Sequence, residues 1–193
     1  TPDFMKLLTL FIAAILTLCV TVTGLMAEIK VVVEHNDNEH ARADFNFKNV
    51  PAPSSTDAAG QAQFSIADGE PDDNGGSLSA LHDGRVPAEA DEPAENFFFN
   101  AGTDGGRVLV DLGSELELQQ VSTYSWHPNS RGPQVYNLYA SEGKAEAFNA
   151  RPKRGTAPEN SGWRLLARVD TRPKEGGGEK PLGMVHVPAV AGG

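Results

Sequence analysis

Short runs of alternating or β-branched apolar residues recur along the chain, each stopped by glycine, proline or an acidic turn. A two-residue period puts every second side chain on one face and predicts a strand. The runs fall at residues 29–34 (IKVVVE), 44–50 (DFNFKNV), 63–66 (QFSI), 96–100 (NFFFN), 107–113 (RVLVDLG), 116–126, 135–141 (VYNLYAS), 163–169 and 184–187. In 107–113, Val108, Val110 and Leu112 share a face; in the next run Leu116, Leu118, Val121, Thr123 and Ser125 are the inward candidates. Trp163, Leu165, Ala167 and Val169 repeat with the same period. Residues 77–84 predict one helical turn, stopped at Gly84. The pattern calls for no longer helix, and the fold class it predicts is all-β, an antiparallel β-sandwich of the jelly-roll kind.

One apolar stretch breaks this rule. Residues 7–22 are almost wholly apolar and follow a single cation, Lys6, which is the layout of a secretory signal peptide. The stretch is short for a membrane span and is followed by Glu28, so cleavage after Ala27 or Gly24 is expected, with no stable membrane anchor afterwards. Cys19 follows Leu18, where lipid attachment requires a small residue. Met5 is the natural start. The expected organisation is therefore a signal peptide over 1–27, N-terminal strands and a connector over 28–59, and the sandwich over 60–193.

Composition narrows the partners. Removal of the leader leaves about 165 residues, enough for one domain with its own core. The single cysteine leaves with the leader, so the mature chain has neither a disulfide nor a thiol nucleophile. The formal charge of −10 argues against nucleic acid and anionic lipid as partners. Twenty glycines and thirteen prolines fit a chain rich in turns. The expected location is secreted, periplasmic or cell-envelope.

The order of features also resembles a known group. An Asp83-Gly84 turn, an aromatic segment, the strand Val110-Asp111-Leu112-Gly113, a strand centred on Val121, Tyr136-x-Leu138-Tyr139-x-Ser141 and Trp163 follow one another. This succession resembles the galactose-binding-like superfamily, which includes discoidin or coagulation-factor type C domains, over residues 60–190. The stretches 44–53 and 124–139 are similar to those of a group of small exported bacterial proteins. The resemblance implies a ligand site in loops at one end of the sandwich. It also implies a structural calcium on the Asp-Gly turn, with Asp83 as side-chain ligand and Leu81 and Arg85 giving carbonyls; the alternative is an ordinary Asp-Gly turn held by local hydrogen bonds. Two departures stand out. The Thr-x-Trp that family members carry after the turn is replaced by Arg85-Val86-Pro87-Ala88, and one or two closing strands that should pair near the first are expected to be missing, as from a fragment.

The sharpest binding candidate is Trp126-His127-Pro128-Asn129-Ser130-Arg131. Sugar recognition needs an apolar ring face together with donors and acceptors for vicinal hydroxyls, which Trp126, His127, Asn129 and Arg131 combine. The competing reading makes Trp126 a core residue and pairs Arg131 with an acid such as Glu142. Arg151-Pro152-Lys153-Arg154 is a basic island that would meet an acidic polysaccharide or stand solvated. His35 and His40, with Asp37 and Glu39 between them, offer zinc-ligand chemistry or an exposed hairpin tip, and the acidic loop at 68–75 lacks EF-hand spacing. No Gly-x-Ser-x-Gly elbow, His-Glu-x-x-His helix or phosphate-cradling loop is present. The expected function is a non-catalytic module binding carbohydrate or another surface ligand; an envelope structural or adhesion protein is the alternative, and a jelly-roll lyase or hydrolase comes third.

Overall fold

The computed structural model describes residues 29–35, 47–89, 91–126 and 134–172, together with the backbone of 183–187. Seven short strands carry it: β1 (Val32–His35), β2 (Gln63–Asp68), β3 (Arg107–Asp111), β4 (Val121–Thr123), β5 (Val135–Ala140), β6 (Arg164–Asp170) and β7 (Gly183–Val187). Helical structure among the described residues is confined to 3-10 turns of three or four residues, such as Leu78–Leu81 and Pro158–Ser161. None of it is long and apolar enough to cross a membrane. The chain is mainly β, with every strand pair antiparallel.

The strands form three small sheets: β1-β7-β4, β2-β3 and β5-β6. In the first, β7 lies in the middle, with Val33 opposite Val185 on one side and Thr123 opposite Val185 on the other. β7 thus joins the first strand to β4. The β2–β3 register pairs Phe64 with Val110 and Ile66 with Val108, then shifts through a bulge to pair Asp68 with Arg107. Gly69, with φ +92°, follows the bulge; a Cβ there would sit 2.7 Å from the Gly106 Cα, so only glycine lets the two backbones come this close.

Period-two burial is cleanest on β6 and the residue after it. Ala167, Val169 and Thr171 are buried while Arg168 and Asp170 are exposed. Ala167 and Val169 form a core against Ile29, Val33, Val121, Tyr136 and Leu138, so the β5–β6 sheet packs its inner face toward β1 and β4. A hydrogen bond of 2.9 Å between the Thr123 and Tyr136 hydroxyls joins β4 to β5 across this contact. Burial raises the pKa of the Tyr136 phenol, and the bond to Thr123 works in the opposite direction.

Three sequence expectations give way here. Residues 96–100 do not form a strand; Phe99 makes only an isolated bridge to Pro71, closed by the Asn100 N–H to the Glu70 carbonyl and the Asp72 N–H to the Phe98 carbonyl, and beyond it the partner segment turns, with the Gly75 N–H donating to the Asp72 carbonyl. The described part of 44–50 is a bend rather than a strand. Leu116 is exposed rather than inward, since β4 starts only at Val121.

That bend is held by Glu34. Its Oε2 accepts from the Asn49 N–H at 2.9 Å and the Val50 N–H at 3.0 Å, and Oε1 accepts from the Asn49 side-chain amide. Val50 is buried behind the clasp. One residue on, the Pro51 carbonyl accepts from the Tyr124 hydroxyl at 2.7 Å, tying the connector to the end of β4. The stretches around Pro51 and Tyr124, singled out separately in the sequence, are therefore in contact.

Candidate functional site

Trp126 closes the described part of the chain after β4, and Gln134 opens it again before β5. Both ends are fixed. The Trp126 N–H donates to Asn96 Oδ1 at 3.3 Å and its carbonyl accepts from Asn96 Nδ2 at 3.1 Å, so one side chain grips both backbone groups. Asn96 Nδ2 also donates to the Glu92 carbonyl at 3.1 Å, and the Asn96 carbonyl accepts from Gly76 N–H at 2.7 Å. At the other end, the Gln134 N–H donates to Thr171 Oγ1 at 2.7 Å, while its carbonyl accepts from the Thr171 N–H at 3.0 Å. Thr171 is 1 % exposed, which leaves it little room to move. The segment 127–133 thus departs from and returns to two backbone positions held by reciprocal hydrogen bonds.

Of the four residues expected to bind ligand, only Trp126 is described; His127, Asn129 and Arg131 lie outside the described residues. Trp126 is 3 % exposed. Its ring is enclosed and does not offer a face for stacking on a sugar, so of its two readings the core one matches this burial. Burial follows from position: Ser125 and Trp126 leave β4 toward the 92–96 turn, where Asn96 holds the backbone inward. Glu142, named as one acid that Arg131 could meet, lies 3.6 Å from Lys144, which also meets Glu115.

The Asp-Gly turn is well formed. Asp83 Oδ1 accepts from the Arg85 N–H at 2.8 Å, a local Asx-type bond. Gly84 has φ +75°, and a Cβ on it would come within 2.6 Å of the Ser55 backbone nitrogen, so the turn packs against the 54–56 connector. Calcium requires six to eight oxygens. The described residues supply one carboxylate here, with Oδ1 already accepting a backbone proton, and no group of three or more His, Cys, Asp or Glu among them is arranged for a metal. A shell on this turn would have to be completed by carbonyls, such as those of Leu81 and Arg85, and by water.

The three cations of the basic island are exposed, as the solvated reading has it, and two of them also make hydrogen bonds to distant parts of the chain. Arg151 donates to the Ile66 carbonyl at 2.8 Å and to Ser65 Oγ at 2.7 Å; Arg154 donates to Asp68 Oδ2 at 2.9 Å and to the Gly105 carbonyl at 3.2 Å. Arg107 reaches back from β3 to the Pro152 and Thr156 carbonyls at 3.0 and 3.1 Å. Three guanidinium groups therefore strap residues 151–156 onto β2 and β3. A planar fork with several donors suits this, because β-strand ends and bulges leave carbonyls in need of partners. The Arg154 hydrogen bond to Asp68 holds that carboxyl below the ordinary carboxylate range. His35 is likewise engaged, with Nε2 2.9 Å from the Thr171 carbonyl, while His40 lies outside the described residues. In the acidic loop, Asp72 Oδ1 accepts from both the backbone and side-chain nitrogens of Asn74 at 2.9 Å, which makes it a turn-former.

No family model matches the chain, and comparison with curated proteins and with solved structures gives no match either.

Proposed function

We propose that the chain is an exported, non-catalytic binding module that recognises carbohydrate or another surface ligand, built as a galactose-binding-like sandwich. The observation that supports this reading is the pair of fixed stems at Trp126 and Gln134. Recognition loops work best when a rigid scaffold fixes where they start and stop, since less ordering entropy is then lost on binding. The segment between these stems carries His127, Asn129 and Arg131, a donor and acceptor set suited to vicinal hydroxyls. In this proposal they make the contacts and Trp126 serves as the buried post. A structural calcium at Asp83, with the Leu81 and Arg85 carbonyls, belongs to the same proposal. A thermal midpoint that rises with added Ca2+ in the wild type but not in Asp83→Ala supports it, and an unchanged midpoint removes it.

The decisive experiment is retention of the exported protein on a panel of polysaccharide gels or a glycan array. Retention is expected for the wild type and lost in Arg131→Ala and Asn129→Ala at unchanged thermal midpoint. Wild type retained on no glycan overturns the carbohydrate reading.

A second reading, protein–protein contact within the envelope, is favoured by one patch. Phe64 stacks on His82 with centroids 4.3 Å apart, between Leu81 and the cross-strand partner Val110, which are 42 % and 40 % exposed. Cross-linking of intact cells that joins the protein to another envelope protein, lost in Val110→Asp with glycan retention intact, would favour this reading.

A further inference from the structure

Trp126 holds one polar group that its surroundings leave unmatched. Its Nε1 is buried, and no acceptor lies within hydrogen-bond distance of it among the described residues. The Asn96 amide, which grips the Trp126 backbone, gives its oxygen to the Trp126 backbone N–H and both its protons to the Glu92 and Trp126 carbonyls. The other tryptophan shows the usual solution, Trp163 Nε1 donating to the Asn149 carbonyl at 2.9 Å. A buried N–H without an acceptor carries its whole desolvation penalty, and native interiors resolve such a group with a captured water or with a ligand.

We propose that Trp126 Nε1 is a binding position for one neutral acceptor oxygen, either an internal water or a hydroxyl of a bound ligand. Indole donates one proton and accepts none, so the occupant must accept here. A charged acceptor is disfavoured because enclosing a charge costs far more than enclosing a neutral oxygen. The position stands on the orphan donor alone; the carbohydrate reading contributes only one of its two sources. It gives Trp126 a role that burial of its ring face would otherwise deny, as a donor reaching the ligand or its water from beneath.

The test uses indole N–H resonances, of which the chain has two, one for each tryptophan. Trp126→Phe keeps most of the ring volume, deletes the N–H and assigns the Trp126 signal by its disappearance. The expected signal is downfield shifted, as for a hydrogen-bonded indole, and protected from exchange. Cross-relaxation to water identifies the internal-water source. A shift of the same resonance on adding a retained glycan, with about tenfold weaker retention in Trp126→Phe, identifies the ligand source. An unbonded indole shift that no glycan moves overturns the proposal, as does a higher thermal midpoint in Trp126→Phe, the outcome expected when an unsatisfied donor is removed.

Discussion

Arg154 donates through Nε to Asp68 across 86 residues of sequence, at 2.9 Å, and through Nη2 to the Gly105 carbonyl beyond it. The contact draws the 151–156 loop onto the bulge where β2 and β3 change register. Its strength depends on the Asp68 charge. Because the folded-state pKa of Asp68 is depressed, this contribution is present above the ordinary value of 3.8 and is lost as pH falls through the lower, folded one. Acid should therefore release the strap. The protection factors of amides in residues 151–156, taken relative to the intrinsic exchange rate at each pH, are expected to fall below about pH 4 in the wild type and to be low already at neutral pH in Arg154→Ala.

The Glu34 carboxylate accepts from two backbone amides and a side-chain amide at once. Glu34→Ala leaves the Asn49 and Val50 N–H groups without that acceptor beside the buried Val50 side chain. A loss of about 1.5–3 kcal/mol in urea unfolding is expected, the range for hydrogen bonds to a charged group.

Tyr136 links the sheets through its hydroxyl, and burial raises its pKa above the ordinary 10.0. A raised folded pKa means that the unfolded chain ionises first, so stability is full below about pH 10 and falls as pH rises through the folded value. Tyr136→Phe should lose about 1 kcal/mol at neutral pH with the Thr123 bond. Its unfolding midpoint should then decline less steeply than wild type in alkaline solution.

Gly84→Ala places a methyl group where the Ser55 backbone stands, on a residue with φ +75°. Steric overlap and the left-handed backbone act in the same direction, and a loss of about 2 kcal/mol or more is expected. Gly102→Ala, also at positive φ but with open space around it, should cost only the conformational part, about 1 kcal/mol. Differential scanning calorimetry of the two variants separates the terms.

Strands were legible wherever alternation was uninterrupted, as in 63–66, 107–113, 135–141 and 163–169, each of which overlaps an observed strand. Aromatic content misled at Phe97 to Phe99, where the partner segment turns after Asp72 and the Phe97 and Phe99 rings meet edge to face. Period alone also could not say that Val110 would remain half open, because that depends on which sheet covers β3. At the candidate site the sequence marked Trp126 but missed Asn96, Gln134 and Thr171, the residues that fix its ends. Their partners lie 30 and 37 residues away, and polar side chains that grip a distant backbone carry no local signature. The arginines at 151 and 154 were legible as charge but not as tethers, for the same reason.

The central position of β7 has a consequence for biogenesis. β1 and β4 never touch through backbone bonds; each waits for residues 183–187. A chain leaving the ribosome amino end first thus carries two unfilled strand edges until residues 183–187 have emerged. Such long-range closure is slow, because the loop entropy is lost before the pairing is gained. The first sheet is sealed by the last of its three strands to be made.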